Sequence, residues 1–339
     1  MYAKLIHLIL MISIWLFSLK AVGMAVAQTV PANLFNIGDS IGVGEAANGT
    51  IGEANYDAVW STGYDPDDVV FSLNERLEAM DGESFYENNA ARNSNFNQAM
   101  SGAQMADFED QVNEVIAMAD QTPGTKAGML AVLLGANDVC AANMESMTSV
   151  VDFEVQYRAG LNVLANSDTT RNAYIHVSGI PAIYWLWSAK HDNDRCRNII
   201  WPFVPCGNLL DNPLNDCGAS NSQLDPDTIH DDDGPNCVRR KQFHAKIRDL
   251  YNPLLKNVLQ EYIEDGRLPN AYFVNIFDIR FDAEHVNDGD CFHPSLQGQA
   301  LMAQQQWLRS YWGQSESNGE GLFFPIRTKA GKVTIIYLE

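Results

Sequence analysis

Apolar residues fall along this chain in two rhythms. Short runs rich in β-branched and aromatic side chains, at 34–37, 130–134, 173–178 and 271–279, each end in turn-forming residues and predict buried strands. Between them the spacing changes to threes and fours. Met105, Phe108, Val112, Val115 and Ile116 form one stripe of a helix predicted over 104–120. Phe243, Ile247, Leu250, Leu254 and Val258 form another within 238–264, where Pro253 predicts a kink or a split. Weaker helical patterns cover 67–80, just after Pro66, and 294–312. Strands separated by helices of this length pair in parallel through crossovers, so the pattern predicts an α/β chain built as a three-layer α/β/α sandwich. Ligands of such sheets bind outside the carboxyl ends of the strands, which is where chemistry is to be sought.

Two stretches break the alternation. Residues 191–237 hold four cysteines, five prolines and nine aspartates against two arginines, without periodicity, and read as a disulfide-stapled insertion over the sheet edge or the active-site face. Residues 313–321 form a polar linker, and 322–339 read as two short strands around Lys329-Ala330-Gly331-Lys332, an accessory hairpin. No internal repeat is present.

Composition narrows the possibilities. With 46% hydrophobic and 19% charged residues, the chain is not predominantly disordered. A net charge of −21 argues against nucleic acid or an anionic lipid surface as partner and favours a small, neutral or apolar one. Lys4, an apolar run over 5–19 and Ala25-Val26-Ala27 before Gln28 have the layout of a secretory signal peptide. The run is shorter than the roughly 20 residues a membrane span needs. The expected divisions are therefore 1–27 (leader), 28–312 (one domain) and 313–339 (linker and tail). All six cysteines, at 140, 196, 206, 217, 237 and 291, follow the leader. An even count in an exported chain predicts disulfides, and no CxxC pair with zinc spacing occurs; fifteen pairings remain open.

Three fragments carry candidate chemistry. The first strand runs into Gly38-Asp39-Ser40, which places a hydroxyl at a strand's carboxyl end; alone, the tripeptide equally describes a turn with a capping serine. The second predicted strand runs into Gly135-Ala136-Asn137-Asp138, where an asparagine amide at the same edge is a donor suited to an oxyanion, or simply closes an Asx turn. The third is Asp290-Cys291-Phe292-His293-Pro294. An Asp three residues before a His can orient the imidazole through Nδ1 and leave Nε2 as a general base. Asp282 with His285 and Asp227 with His230 share that spacing, but only His293 lies between the last strand and a helix start.

Together with Ser101-Gly102-Ala103, these fragments occur in the order of the four blocks of the SGNH hydrolases, the GDSL esterases and lipases, which the chain resembles from 34 to 307. The resemblance implies a mainly parallel, five-stranded flavodoxin-like sheet and a serine esterase or lipase that needs no metal or cofactor. It implies Ser40 as nucleophile, His293 as base and Asp290 as its orienting carboxylate, with an oxyanion hole from the Ser40 N–H, Gly102 and Asn137. Cys140 and the string Asp290–Ser295 look most like the phospholipase B-like branch. Departures are Ile41-Gly42-Val43-Gly44, where many members have Thr or Ser soon after the nucleophile, and the insertion, which suggests a lid or specificity wall.

If Asn137 and His293 face one substrate atom, a Cys140–Cys291 bridge would join their loops and leave the other four cysteines to staple the insertion. The expected partner is a small ester, lipid or acylated sugar, with no nucleic acid and no stable membrane span. Alternatives are a polysaccharide deacetylase and a non-catalytic binding protein on the same scaffold. Asp225, Asp227, Asp231, Asp232 and Asp233 also suggest a calcium site, although their spacing fits no EF-hand loop.

Overall fold

The computed structural model describes residues 29–81, 96–121, 126–222, 224–314, 322–327 and 333–338, the last two stretches as backbone. The expected leader over 1–27 lies outside these residues.

Four strands, β1 Leu34–Gly38, β2 Met129–Leu133, β3 Tyr174–Ser178 and β4 Ala271–Val274, pair in parallel in the order β1-β2-β3-β4. Alternation along each strand sorts its side chains to two faces. Phe35, Ile37, Leu130, Val132, Ile175 and Val177 pack in one buried layer against Phe108 and Val112 of the helix Phe108–Asp120, Phe153 and Tyr157 of Val150–Asn166, and Leu255 and Leu259 of Asn252–Glu264. Leu34, Met129, Ala131, Leu133 and Val274 face the other way, onto Leu73 and Leu77 of Leu73–Asp81 and Met302, Ala303 and Trp307 of Leu296–Leu308. The result is the expected α/β/α sandwich.

The sheet has four strands rather than the five implied by the resemblance. A fifth segment, 97–100, does run beside β1, where Gln98 N donates to Asn36 O (2.9 Å) and Met100 N to Gly38 O (3.1 Å), but ladder pairing is reduced to one bridge at Asn36 and Asn97. The Asn97 carboxamide instead accepts from Ala99 N (3.1 Å) and donates to Gly42 O (2.7 Å), so side-chain bonds take over from strand pairing. β4 also stops at Val274 instead of running to 279, because Asn275 Oδ1 accepts from Phe277 N (3.0 Å) and turns the chain.

The helices start where their caps are. The pattern over 67–80 becomes helical only at Leu73, behind a reciprocal pair in which Ser72 N donates to Glu75 Oε2 and Glu75 N to Ser72 Oγ. Ser295 caps Leu296–Leu308, and the pattern over 294–312 then breaks before a short Tyr311–Gln314 turn. Pro253 does not break the 238–264 helix. A π turn, Ile247–Tyr251, widens the chain ahead of the ring and joins Pro235–Lys246 to Asn252–Glu264. The extra residue advances the buried face by one position, so Tyr251 and Leu255 enter the core while Leu250 is exposed, contrary to the expected stripe. The tail forms the expected antiparallel hairpin, β5 Leu322–Arg327 with β6 Val333–Leu338.

Candidate active site

β1 ends directly beneath Ser40, which opens a four-residue helical turn, Ser40–Val43. The preceding backbone is held as if by another strand: Gln111 Oε1 accepts from Gly38 N and its Nε2 donates to Gly38 O, both at 2.9 Å. After the serine, Gln299 Nε2 donates to Ile41 O (3.0 Å), while Asn97 Nδ2 (2.7 Å) and Asn36 Nδ2 (3.3 Å) donate to Gly42 O. Gly42 is required by space, since a Cβ there would lie 2.7 Å from Asn36 Nδ2 and 2.9 Å from Ala99 Cβ. Asp39 caps the turn by accepting from Ile41 N (2.9 Å). Its other carboxyl oxygen is buried without a hydrogen-bond partner, and burial pushes this acid up to about 7.

The chain beyond β4 brings His293 to this turn. His293 Nε2 lies 2.8 Å from Ser40 Oγ, and Nδ1 lies 2.6 Å from Asp290 Oδ2. Asp290 Oδ1 accepts from Asn287 Nδ2 (2.9 Å) and from the N–H groups of Phe292 (2.9 Å) and His293 (3.1 Å). Burial alone would raise this carboxyl, but the His293 contact and these bonds outweigh it and hold the acid below its ordinary range. With Nδ1 carrying its proton toward an ionised Asp290, Nε2 faces the serine as an acceptor. The rival pairs are spent elsewhere. His285 Nδ1 accepts from Asp282 N (2.9 Å) in a helix cap, while the Asp227 carboxylate meets His244 and Arg248 and the His230 backbone N–H donates to Asp233 Oδ2 (2.9 Å).

Beyond β2, Gly135 adopts φ +112 and turns the chain so that Asn137 reaches the same pocket as Ser40 and His293. Asn137 Nδ2 donates one hydrogen to Ala103 O (2.9 Å), which leaves a second for a ligand. Gly102, at φ +81, is exposed at the turn after 97–100 and is not among the residues lining the pocket. Asp138 links the two loops by accepting from Met105 N (2.8 Å), and burial raises its carboxyl. Sequence reasoning missed Gln111, Gln299 and Asp138 as supports, because their partners are backbone atoms far along the chain; it also missed Asn287, which braces the Asp290 carboxylate from only three residues away.

The pocket encloses about 660 Å³ of empty space, its open mouth included. Beside Ser40, Asn137 and His293 its walls are apolar, with Pro181, Ala182, Ile183 and Leu186 following β3, and Phe281, Val286 and Phe292 following β4. Ile41, Ala136, Cys140, Pro294 and Met302 complete the wall. Among the described residues of 191–237, where the sequence suggested a lid or specificity wall, none lines the pocket.

The insertion is bolted to the site from outside. The expected Cys140–Cys291 bridge does not form; the disulfides are Cys140–Cys206, Cys196–Cys291 and Cys217–Cys237. Cys140 and Cys291 thus each pair with the insertion, whose residues 196–206 join one loop to the other. Four of the five suggested calcium ligands have partners within the chain: Asp233 pairs with Lys241 Nζ (2.6 Å), Asp232 accepts from Ser220 N (3.0 Å), Asp227 meets His244 and Arg248, and Asp225 Oδ1 accepts from Asp227 N (2.9 Å).

The geometry can therefore move a proton from a serine hydroxyl beside an apolar cavity. No curated protein matches the chain. The model of the GDSL-like Lipase/Acylhydrolase family matches residues 34–305. Among solved structures, a protein from Parabacteroides merdae proposed to be a GDSL-like lipase is 16% identical, with 81% of this chain and 93% of that one covered. Its TM-score of 0.36 is too low to carry weight, whereas the family match spans the sandwich, its linking loops and all four sequence blocks. By that match, the chain belongs to the GDSL-like lipase/acylhydrolase family.

Proposed function

We propose that this protein is an exported hydrolase of carboxylic esters with apolar acyl groups, acting through an acyl-enzyme on Ser40. The observation that carries the reading is the unbroken chain Ser40 Oγ, His293 and Asp290 opening onto an apolar pocket. His293 Nε2 takes the Oγ proton as Oγ bonds to the ester carbonyl carbon. The charge that develops on the carbonyl oxygen is met by the N–H groups of Ser40 and Gly102 and the free hydrogen of Asn137 Nδ2. Collapse breaks the ester C–O bond, and the alcohol leaves with the proton from His293. Water, deprotonated by the same nitrogen, then releases the acid and restores Ser40. Asp290 keeps its charge throughout and fixes the ring. Three disulfides and the leader-like 1–27 support export to an oxidising compartment.

The apolar wall favours a hydrocarbon acyl group over a sugar against the pocket. Hydrolysis of p-nitrophenyl acetate, butyrate and octanoate, with acetylated xylan alongside, tests this. The expected result is Ser40-dependent release that is greatest on butyrate or octanoate. Turnover of xylan acetate alone would make the protein a sugar deacetylase, and equal release by Ser40→Ala would end the serine mechanism.

A further inference from the structure

We propose that residues 195–206 are a positioning strut that fixes the Asp290–His293 turn relative to the Asn137 loop; this inference rests on the catalytic roles proposed above. At one end, Cys196 is bonded to Cys291 inside the turn, and Trp201 Nε1 donates to Cys291 O (2.8 Å). Arg195 spans the outside of the same turn, its guanidinium donating to Asp288 O and to Gly289 O (2.9 Å). Lys190, just before the segment, reaches Asp288 Oδ1 at 2.6 Å. At the other end, Cys206 is bonded to Cys140, which lines the pocket three residues after Asn137. Asn208 then donates through Nδ2 to Val139 O (2.6 Å) and through N to Ala141 O (3.0 Å).

Such holding is needed where the backbone is unfavourable. Cys291 has φ +55, a left-handed conformation that a non-glycine residue keeps only when its surroundings impose it. It sits between the two residues whose 2.6 Å bond orients the imidazole. No hydrogen bond among the described residues ties the Asp290–His293 turn directly to the Asn137 loop, so the strut is the short covalent path between the general base and the oxyanion donor. The third disulfide, Cys217–Cys237, lies outside this path and anchors the insertion to the helix Pro235–Lys246.

The experiment compares three double variants, Cys196→Ser with Cys291→Ser, Cys140→Ser with Cys206→Ser, and Cys217→Ser with Cys237→Ser, plus Arg195→Ala. Readouts are kcat, KM and the pH profile of kcat/KM on p-nitrophenyl butyrate, melting temperature, and the downfield proton resonance of the Asp290–His293 bond. Loss of Cys196–Cys291 should lower kcat about tenfold or more with KM changed less than about twofold. It should also move the acidic limb to lower pH, because a less closely held carboxylate favours the charged ring less. Loss of Cys140–Cys206 should lower kcat with that limb unmoved. Loss of Cys217–Cys237 should lower the melting temperature alone. Arg195 is exposed, so Arg195→Ala carries the test through the same limb and kcat if a double variant does not fold. A folded Cys196/Cys291 variant, or Arg195→Ala, with wild-type kcat and acidic limb overturns the strut; so does an equal kcat loss in the Cys217/Cys237 variant. Absence of Ser40-dependent hydrolysis in the wild type would instead overturn the proposed function. The downfield resonance then decides the strut: lost with Cys196–Cys291 but kept in the other two, it supports it, and unchanged in all three, it overturns it.

Discussion

His293 Nε2 lies 2.8 Å from Ser40 Oγ although 253 positions separate them, and nothing near either residue in the chain enforces that distance. β1 and β4 lie at opposite edges of the sheet, and the chain beyond β4 returns to the serine turn, where Leu296 N donates to Ala47 O (3.2 Å) and Gln299 Nε2 to Ile41 O (3.0 Å). Asp290→Asn keeps the shape of the turn but removes the charge that selects the proton position on the ring. Turnover should fall by about 10³- to 10⁴-fold with the fold intact, checked by steady-state kinetics beside circular dichroism.

In the proposed oxyanion hole, Asn137 is the one donor supplied by a side chain. Asn137→Ala should lower kcat roughly 10²- to 10³-fold with little change in KM, because the lost bond strengthens only as the carbonyl oxygen gains charge. A drop confined to KM would place Asn137 in ground-state binding instead.

Gly42→Ala tests the support under the nucleophile. The new Cβ would press on Asn36 and Ala99, both of which are buried, so stability should fall by about 1–3 kcal/mol and turnover should drop with it. Denaturant unfolding measures the first and p-nitrophenyl butyrate hydrolysis the second.

Asp39 is held at about 7 by burial, against an ordinary value of 3.8. Below 3.8 both folded and unfolded chains carry its proton, and the group is neutral to stability. Between 3.8 and 7 the unfolded chain gives up the proton and the folded chain keeps it, so this group lowers stability as pH rises through that window. Asparagine retains the cap to Ile41 N without the charge. Asp39→Asn should therefore gain on wild type as pH goes from 4.5 to 7.5, by on the order of 2–4 kcal/mol. Melting curves of the two proteins at both pH values give the difference, and parallel curves would refute it.

Leu186, on the helix following β3, narrows the apolar pocket. Leu186→Trp should reduce kcat/KM on the octanoate ester by about tenfold or more while changing the acetate ester less than about threefold, since each excluded methylene costs part of its pocket burial. Equal losses on both esters would mean that the acyl chain does not lie against Leu186.

The layered α/β class, four strand positions and the residues that meet at the site are legible along the chain, because strand and helix periods, turn residues and the motif blocks are all local in it. Ser40, Asn137, Asp290 and His293 stand out because they fall in the turns that follow strands or precede a helix. The rest comes from packing. The Pro253 region reads locally as a kink, yet a π turn absorbs it and moves the buried face by one residue. The resemblance implies a fifth strand, yet beside β1 the segment 97–100 is left with one bridge, and the Asn97 side chain bonds across to Gly42. The disulfides followed no rule of nearness in sequence: Cys140 and Cys291 do not pair with each other, because residues 196–206 bring Cys206 to one and Cys196 to the other. Pairing of thiols, bracing of backbone by Gln111 and Gln299, and the burial that raises Asp39 all depend on which distant atoms share a few ångströms. Local periodicity carries no record of those distances; packing fixes them.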